Sequence, residues 1–523
     1  MNSQTNLKAS IRIRRIKCDE GKPSCKRCTS TGRKCDGYQV EAARGGNFEL
    51  ALHPYAFTST ISNASRSGAT NYELRALQHF QTRTISALSA SFDCDFWNTV
   101  VLQVSDTQAP VRSAIIAFSG LHENFEKSHG NTDTIYHTDK DKVLVLQQYN
   151  KAVRQTAQRL DMKDPTSCRV ALISCLLFVC LELIQDNYTF SINHLIGGLR
   201  MLQYCQKTAN STPLLPSLSS VHEHLKQFFG RIVVQTMFMG DTHFDVRVIP
   251  KLYNSETPAV FSTVTEARDV LDGLFLAVYP FLHLTGRELN YDSGKIYQLR
   301  LSTQLQAWYH LFQGFVAENR QQFTPKDSTG VILLEIHHVC LTIMVDTALD
   351  TSLYFQSTPA SSFLRIISLV ETLLNQPTKS TSISSQAPPA KLPYYSFDLG
   401  VIGPLFYTAV KCWNSTIRTK VISLLRHPEI PHREGMWSAA MTAIVAQRII
   451  DVQEEVIRGA TSGGSHDIDP STQDGDGSVQ PENLKRKVWF DFVRPKKDAK
   501  QLKIVVGTQP EKRKERREEV VTW

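Results

Sequence analysis

Four cysteines, Cys18, Cys25, Cys28 and Cys35, stand with six, two and six residues between them, in a stretch almost devoid of large apolar side chains. Between Lys8 and Cys35, ten Lys/Arg face two Asp/Glu, a local net charge of +8. Such a segment cannot bury enough apolar surface to hold itself together. Thiols crowded into a cationic setting ionise readily and become ligands for a soft, tetrahedral ion such as zinc. Metal binding then supplies the folding free energy that a core would otherwise provide. The two-residue gap between Cys25 and Cys28 also occurs in redox motifs, but those require a surrounding strand–helix fold, and none is visible in the flanking sequence.

Charge is unevenly distributed along the 523 residues. Residues 484–523 carry thirteen Lys/Arg against six Asp/Glu, whereas everything outside the two basic ends holds 35 basic and 42 acidic residues. A mildly acidic body between two cationic ends suits a polyanionic partner better than an acidic small substrate. The other seven of the eleven cysteines are scattered, mostly in apolar runs, and behave as small buried hydrophobes of a reducing compartment rather than as a disulfide framework. Residues 1–17 are basic without an apolar stretch, so no signal peptide is expected. The longest apolar run, 170–184, contains Glu182 and falls short of the ~20 residues needed to cross a bilayer, so a core helix and no membrane partner are expected.

The length implies at least two folded units. Residues 8–38 form the cysteine module, and 39–70, rich in Ala, Ser, Gly and Asn, read as a linker. From Asn71, apolar residues recur at helical spacing, as in Leu74, Leu77, Phe80, Ile85 and Leu88, and Pro110 opens a face built from Val111, Ala114, Ile115 and Phe118. Further helices are predicted over 142–160, 168–184, 193–207, 225–239, 264–284, 302–317, 330–349, 361–374, 404–425 and 433–458. Residues 71–458 thus form a large all-α domain, interrupted by a Ser/Thr/Pro-rich surface loop at 376–392. A Gly/Asp/Ser-rich linker, 459–483, is expected to be disordered, and the basic tail 484–523 contains alternating segments 488–493 and 502–506 that predict one terminal β-hairpin. The fold class is mainly α, with no heptad run after the cysteine module to mark a coiled coil.

The module closely resembles the binuclear zinc cluster of fungal transcription regulators. The resemblance rests on the basic run Arg12-Ile13-Arg14-Arg15-Ile16-Lys17 before Cys18, on Pro23 ahead of Cys25, and on the ending Gly32-Arg33-Lys34-Cys35. In that family six cysteines share two zinc ions, and Cys18, Cys25, Cys28 and Cys35 match the third to sixth. The resemblance implies a helix over 12–17 that enters the major groove of double-stranded DNA at a G/C-rich triplet. It places base contact on Arg15 and phosphate contacts on Arg12, Arg14 and Lys17. Arginine suits the first role because it donates two hydrogen bonds to guanine O6 and N7, worth roughly 1–3 kcal/mol of discrimination. Neighbouring cations add affinity with little sequence preference.

The first two cysteines of the family pattern are missing: Lys8 and Ile11 stand in their places. The first of them is a bridging ligand, so the full two-metal cluster cannot form from these residues. Three arrangements stay open: two further cysteines encoded just upstream of Arg12, one zinc held by the four remaining thiolates, or a module without metal.

The resemblance continues over 71–455. Asp95-Phe96-Trp97, Pro110-Val111-Arg112-Ser113-Ala114, Gly120-Leu121-His122-Glu123, 171–183 with His194-Leu195, Ser396-Phe397-Asp398-Leu399-Gly400 and Arg433-Glu434-Gly435-Met436-Trp437 are similar to successive parts of the fungal-specific regulatory domain. No nucleophile elbow, phosphate loop or His-Glu-x-x-His helix occurs, so no enzyme is expected. His222/His224 and His337/His338 read as structural histidines, the latter pair with one ring inward and one outward, and Cys175/Cys180 as diverging buried thiols. Trp97, Trp308, Trp413 and Trp437 read as core or loop anchors. The chain is expected to be a nuclear, zinc-dependent regulator of RNA polymerase II genes that works with the transcription machinery, with monomer and homodimer both open. The rival is a non-DNA-binding interaction scaffold whose head has decayed.

Overall fold

The computed structural model describes residues 69–462, apart from 90, 93–94, 131, 133, 210–215, 239–257, 285–290, 350–359, 376–391, 393 and 413. It also describes the backbone of short strands at 10–11, 16–17, 489–493, 501–507 and 516–522. The chain divides into two compact units, Met1–Ala56 and Phe57–Trp523. In the first, β1 (Ser10–Ile11) pairs antiparallel with β2 (Ile16–Lys17), Ser10 opposite Lys17. This differs from the helix that the family resemblance implies for 12–17. The isoleucines at 11, 13 and 16 are β-branched and favour extended backbone.

The second unit begins with α1 (Asn71–His79), started by a capping box between Thr70 and Glu73. A π-helical turn carries it into α2 (Ile85–Ser89), and α3 (Leu102–Thr107) follows. The central layer is α4 (Ala109–Lys127), α5 (Asp139–Arg159), α6 (Pro165–Ile184) and α7 (Tyr188–Ala209). Asp164 caps α6 by accepting from the N–H groups of Thr166 and Ser167, and Pro165 occupies its first turn, where a missing donor costs nothing. Nearly every side chain of α6 is buried, between α4 on one side and α7 on the other. The run read as 170–184 is therefore part of a 20-residue helix. By length and composition both it and α11 (Pro325–Thr347) could cross a membrane, but 89% and 72% of their apolar windows are enclosed by the rest of the fold, and both are core helices.

The second half of the unit packs α8 (Pro216–Met237) on α9 (Val264–Leu284), and sets α9, α10 (Tyr291–Asn319) and α11 against one another. Trp308 of α10 is fully buried, donates its indole N–H to the Ala267 carbonyl of α9 at 3.0 Å, and stacks on His338 of α11. Then come α12 (Ala360–Leu374), α13 (Ile402–Lys411), α14 (Ser415–Leu425) and α15 (Ala439–Ser462). Three two-residue strands, β3 (Tyr395–Ser396), β4 (Arg433–Glu434) and β5 (Trp437–Ser438), form a small sheet in which β3 and β4 run parallel.

The structure is mainly α, as expected, with several corrections. The helix predicted over 404–425 is two helices, because Asn414 caps a new start by accepting from Ile417 N–H. The segment 433–458 opens with β4 and β5 before its helix begins at Ala439. The predicted C-terminal hairpin is present as β6 (Trp489–Val493) and β7 (Gln501–Gly507), and β8 (Arg516–Thr522) adds a third antiparallel strand. Both His337 and His338 are buried, because both rings find partners inside the fold, His337 at the Gly400 carbonyl and His338 at the Leu305 carbonyl. Trp97 and Trp437 are core residues, as read from the sequence; Trp413 lies outside the described residues, as do 376–391 of the predicted loop and 463–483 of the predicted linker, whose first four residues, 459–462, instead continue α15.

Trp308 is expected to be a stability anchor. Trp308→Ala should cost about 3–5 kcal/mol, seen as a lowered thermal midpoint by circular dichroism. Leu299→Ala, at a side chain 70% exposed on the same helix, should leave the midpoint unchanged.

Candidate nucleic-acid interface and the junction of the helical domain

The residues expected to carry metal and DNA contacts, Cys18, Cys25, Cys28, Cys35, Arg12, Arg14 and Arg15, lie outside the described residues, and of Lys17 only the backbone, in β2, is described. Their chemistry can still be tested against the metal. Four thiolates complete one tetrahedral zinc site without any other ligand. They do not suffice for two ions, each of which needs four donors even when two sulfurs are shared. The donor set of this chain therefore fits one zinc and does not fit the six-cysteine, two-zinc cluster. Among the described residues no group of three or more His, Cys, Asp or Glu is arranged to hold a metal.

One constellation in the helical unit has the residue types of a hydrolase. Ser119 Oγ lies 3.3 Å from His79 Nδ1, and His79 Nε2 lies 3.0 Å from Glu126 Oε2. Ser119 is nevertheless fully buried, and its hydroxyl donates to the Ala76 carbonyl at 2.7 Å. The proton points away from the histidine and no substrate can reach the oxygen, so the row staples α1 to α4. Beside it, burial pushes His122 down to about 4, and the neutral ring pairs with Thr84 Oγ1 at 3.0 Å.

The densest polar site of the helical unit joins segments far apart in sequence. Arg433 of β4 is 2% exposed and ion-paired with Asp186, which sits in the turn between α6 and α7 at φ 60°. Tyr188, at the start of α7, donates its hydroxyl to the Met436 carbonyl at 2.9 Å. From α8, Gln235 donates to the Phe397 carbonyl at 2.8 Å and accepts from Met436 N–H at 2.9 Å, clamping the two family-like segments together. Between them Gly435 has φ +53°, and a Cβ there would fall 2.1 Å from Gln235 Oε1, so only glycine fits. Arg268 of α9 donates to Asp398 at 2.9 Å, and His337 of α11 lies 2.9 Å from the Gly400 carbonyl.

Glu434 points the other way from its neighbour. Its buried carboxylate accepts the Ile402 N–H at 2.7 Å and those of Val401 and Gly400, filling the open N-terminus of α13. The pocket beside it, lined by Phe92, Ser396, Asp398 and Glu434 among others, has room for roughly one water molecule and none for a metabolite. Sequence reading singled out 396–400 and 433–437 without placing them together. Their partners Asp186 and Gln235 gave no signal beyond an Asp-Asn turn and a polar residue in an apolar helix.

Comparison with known proteins agrees with the sequence reading. Residues 12–44 match the fungal Zn(2)-Cys(6) binuclear cluster domain, and residues 75–314 match the fungal specific transcription factor domain. The chain is 27% identical over 368 residues, 64% of its length, to the aspercryptin biosynthesis cluster-specific transcription regulator of Emericella nidulans. It is 28% identical over 221 residues, 39% of its length, to a transcription regulator of Purpureocillium lilacinum. It is 34% identical over 135 residues, 24% of its length, to the transcriptional regulatory protein moc3 of Schizosaccharomyces pombe. The chain spans 58%, 50% and 26% of these relatives, less than two thirds of each. No solved structure matches it. None of these families or relatives is an enzyme.

The junction generates a pH prediction. Burial pushes the Glu434 carboxyl up to about 7, against the pull of three N–H donors. The folded protein thus holds this proton more tightly than the unfolded chain, and the resulting stability, complete below the unfolded value, is lost as pH rises through about 7. Buried His122, His337 and His338, pushed down to about 4, act in the opposite sense as pH falls below 6.5. Glu434→Gln isolates the carboxyl: the variant's stability relative to wild type should rise by roughly 3 kcal/mol between about pH 5 and about pH 8. A difference in thermal midpoint that stays flat with pH would contradict this assignment.

Along the chain, a match to the fungal Zn(2)-Cys(6) binuclear cluster domain thus precedes a match to the fungal specific transcription factor domain, and its relatives named as transcription regulators are similar to it over part of their length.

Proposed function

We propose that this protein is a zinc-dependent, sequence-specific DNA-binding regulator of RNA polymerase II transcription that acts in the nucleus. The observation that carries the reading is the order of the two family matches, with the cysteine module embedded in a segment of net charge +8. In this reading one zinc held by Cys18, Cys25, Cys28 and Cys35 orders the basic run. Arg15 reads a guanine of a G/C-rich triplet in double-stranded DNA, and Arg12, Arg14 and Lys17 neutralise phosphates. The helical domain positions and controls the head and presents it to the transcription machinery, as a monomer or a homodimer. The relatives named as transcription regulators support the same class of activity.

A second reading has a specific observation in its favour. Lys8 and Ile11 stand where the family has its first two cysteines. A head that no longer binds metal would leave the protein a regulatory interaction scaffold without DNA contact.

Metal analysis of the purified chain separates the two: about one zinc per chain is expected for a four-thiolate site, and none would favour the scaffold. Fluorescence anisotropy on duplexes then tests the roles. Arg15→Ala should relax base preference, losing roughly 1–3 kcal/mol of discrimination. Arg12→Ala should weaken all duplexes alike and reduce the salt slope by about one. Identical behaviour of the two variants would contradict the assigned register.

A further inference from the structure

Helices α6 and α7 form an antiparallel hairpin closed by the turn at Asp186. Midway along α6, Cys175 reaches α7, its thiol donating to the His194 carbonyl at 2.9 Å and meeting the Gly198 backbone. Seven residues before Cys175 stands Cys168, and seven after Gly198 stands Cys205. Seven residues are two helical turns, so antiparallel helices that match Cys175 to Gly198 must also match Cys168 to Cys205. The structure agrees: the Cys168 and Cys205 thiols interact across the hairpin. Cys168 is 2% exposed and its sulfur also lies 3.5 Å from the Met162 carbonyl, whereas Cys205 is only partly buried. Both sit in terminal turns of their helices, where backbone shifts are cheapest. The other described cysteines, Cys175, Cys180, Cys340 and Cys412, have no second cysteine among the partners of their thiols.

We infer that Cys168 and Cys205 form a dithiol oxidised by hydroperoxides to a disulfide that locks the open end of the α6–α7 hairpin. The partly exposed Cys205 thiolate attacks one peroxide oxygen, the O–O bond breaks, and the other oxygen leaves as hydroxide that takes up a proton as water. The sulfenic acid on Cys205 is then attacked by the Cys168 sulfur. The S–O bond breaks, a second water leaves carrying the Cys168 proton, and the S–S bond forms. Two sulfurs lose one electron each and the peroxide gains both; a small dithiol reverses the step by exchange. The Asp186–Arg433 pair already fixes the closed end, so oxidation would pin the hairpin at both ends. Burial pushes Cys168 up to about 12 and raises Cys205 as well, although the neighbouring Cys168 favours the Cys205 thiolate. Oxidation should therefore quicken about tenfold per pH unit near neutrality. The inference is independent of the DNA-binding reading.

The test is peptide mapping of the full chain under non-reducing conditions after hydrogen peroxide treatment, with free thiols alkylated at the end. A cross-linked peptide pair joining Cys168 to Cys205, abolished by dithiothreitol, is expected, together with a higher thermal midpoint of the oxidised protein. Cys168→Ser should instead leave a sulfenic acid on Cys205 that dimedone traps. Wild-type protein in which Cys205 advances to sulfinic acid, or in which both cysteines remain separately alkylable while other thiols are consumed, would overturn the inference, whether or not the variant folds.

Discussion

A single buried cation organises the helical unit. Arg433 is enclosed by protein and pairs with Asp186, a residue held in the left-handed region at the bend between α6 and α7. Aspartate tolerates that backbone better than most residues, and the ion pair helps to hold it there. Removing one partner of a buried pair strands the other charge, at a cost of about 3–5 kcal/mol. The arrangement thus ties the central hairpin to a sheet more than 200 residues away in sequence. Because Gln235, Arg268 and His337 reach the same two segments from α8, α9 and α11, three further helices converge on the junction with the hairpin. Glu434, next to Arg433, completes it by filling the N-terminus of α13.

This geometry gives residues 396–400 and 433–437 a structural role while they carry no chemistry. They supply neither a nucleophile nor a ligand pocket. Arg433 and Asp398 are spent on Asp186 and Arg268, and Glu434 on backbone donors, while the adjoining space admits roughly one water. A domain built in this way is suited to holding a shape and presenting surfaces. The mildly acidic body does not compete with the two cationic ends for a polyanion.

Much of the helical fold is legible in the sequence, because amphipathic periodicity and start signals coincide. Pro110, Pro165 and Pro325 each stand in a first turn, and the helix predicted over 264–284 matches α9 at both ends. The first eleven residues of α10 were not legible, since Ile296, Tyr297 and Leu299 are apolar yet exposed and blur the periodicity. The two-residue strands were invisible for another reason: they are fixed by contacts with distant segments rather than by local propensity. β8 was hidden by Arg516, Arg517, Glu518 and Glu519, which read as a charged tail, although they pair along β7. Of the candidate site, spacing exposed the thiolate set and the basic run, whereas the Cys168–Cys205 pairing needed the register of the hairpin.

The central claim is that zinc on four thiolates shapes a cationic segment able to read bases. The most direct measurement is selection of bound duplexes from a random-sequence library by the full chain, with zinc present and with zinc chelated. The account predicts enrichment of a G/C-rich triplet that disappears on chelation. An unenriched library, or the same enrichment with the metal removed, would contradict it.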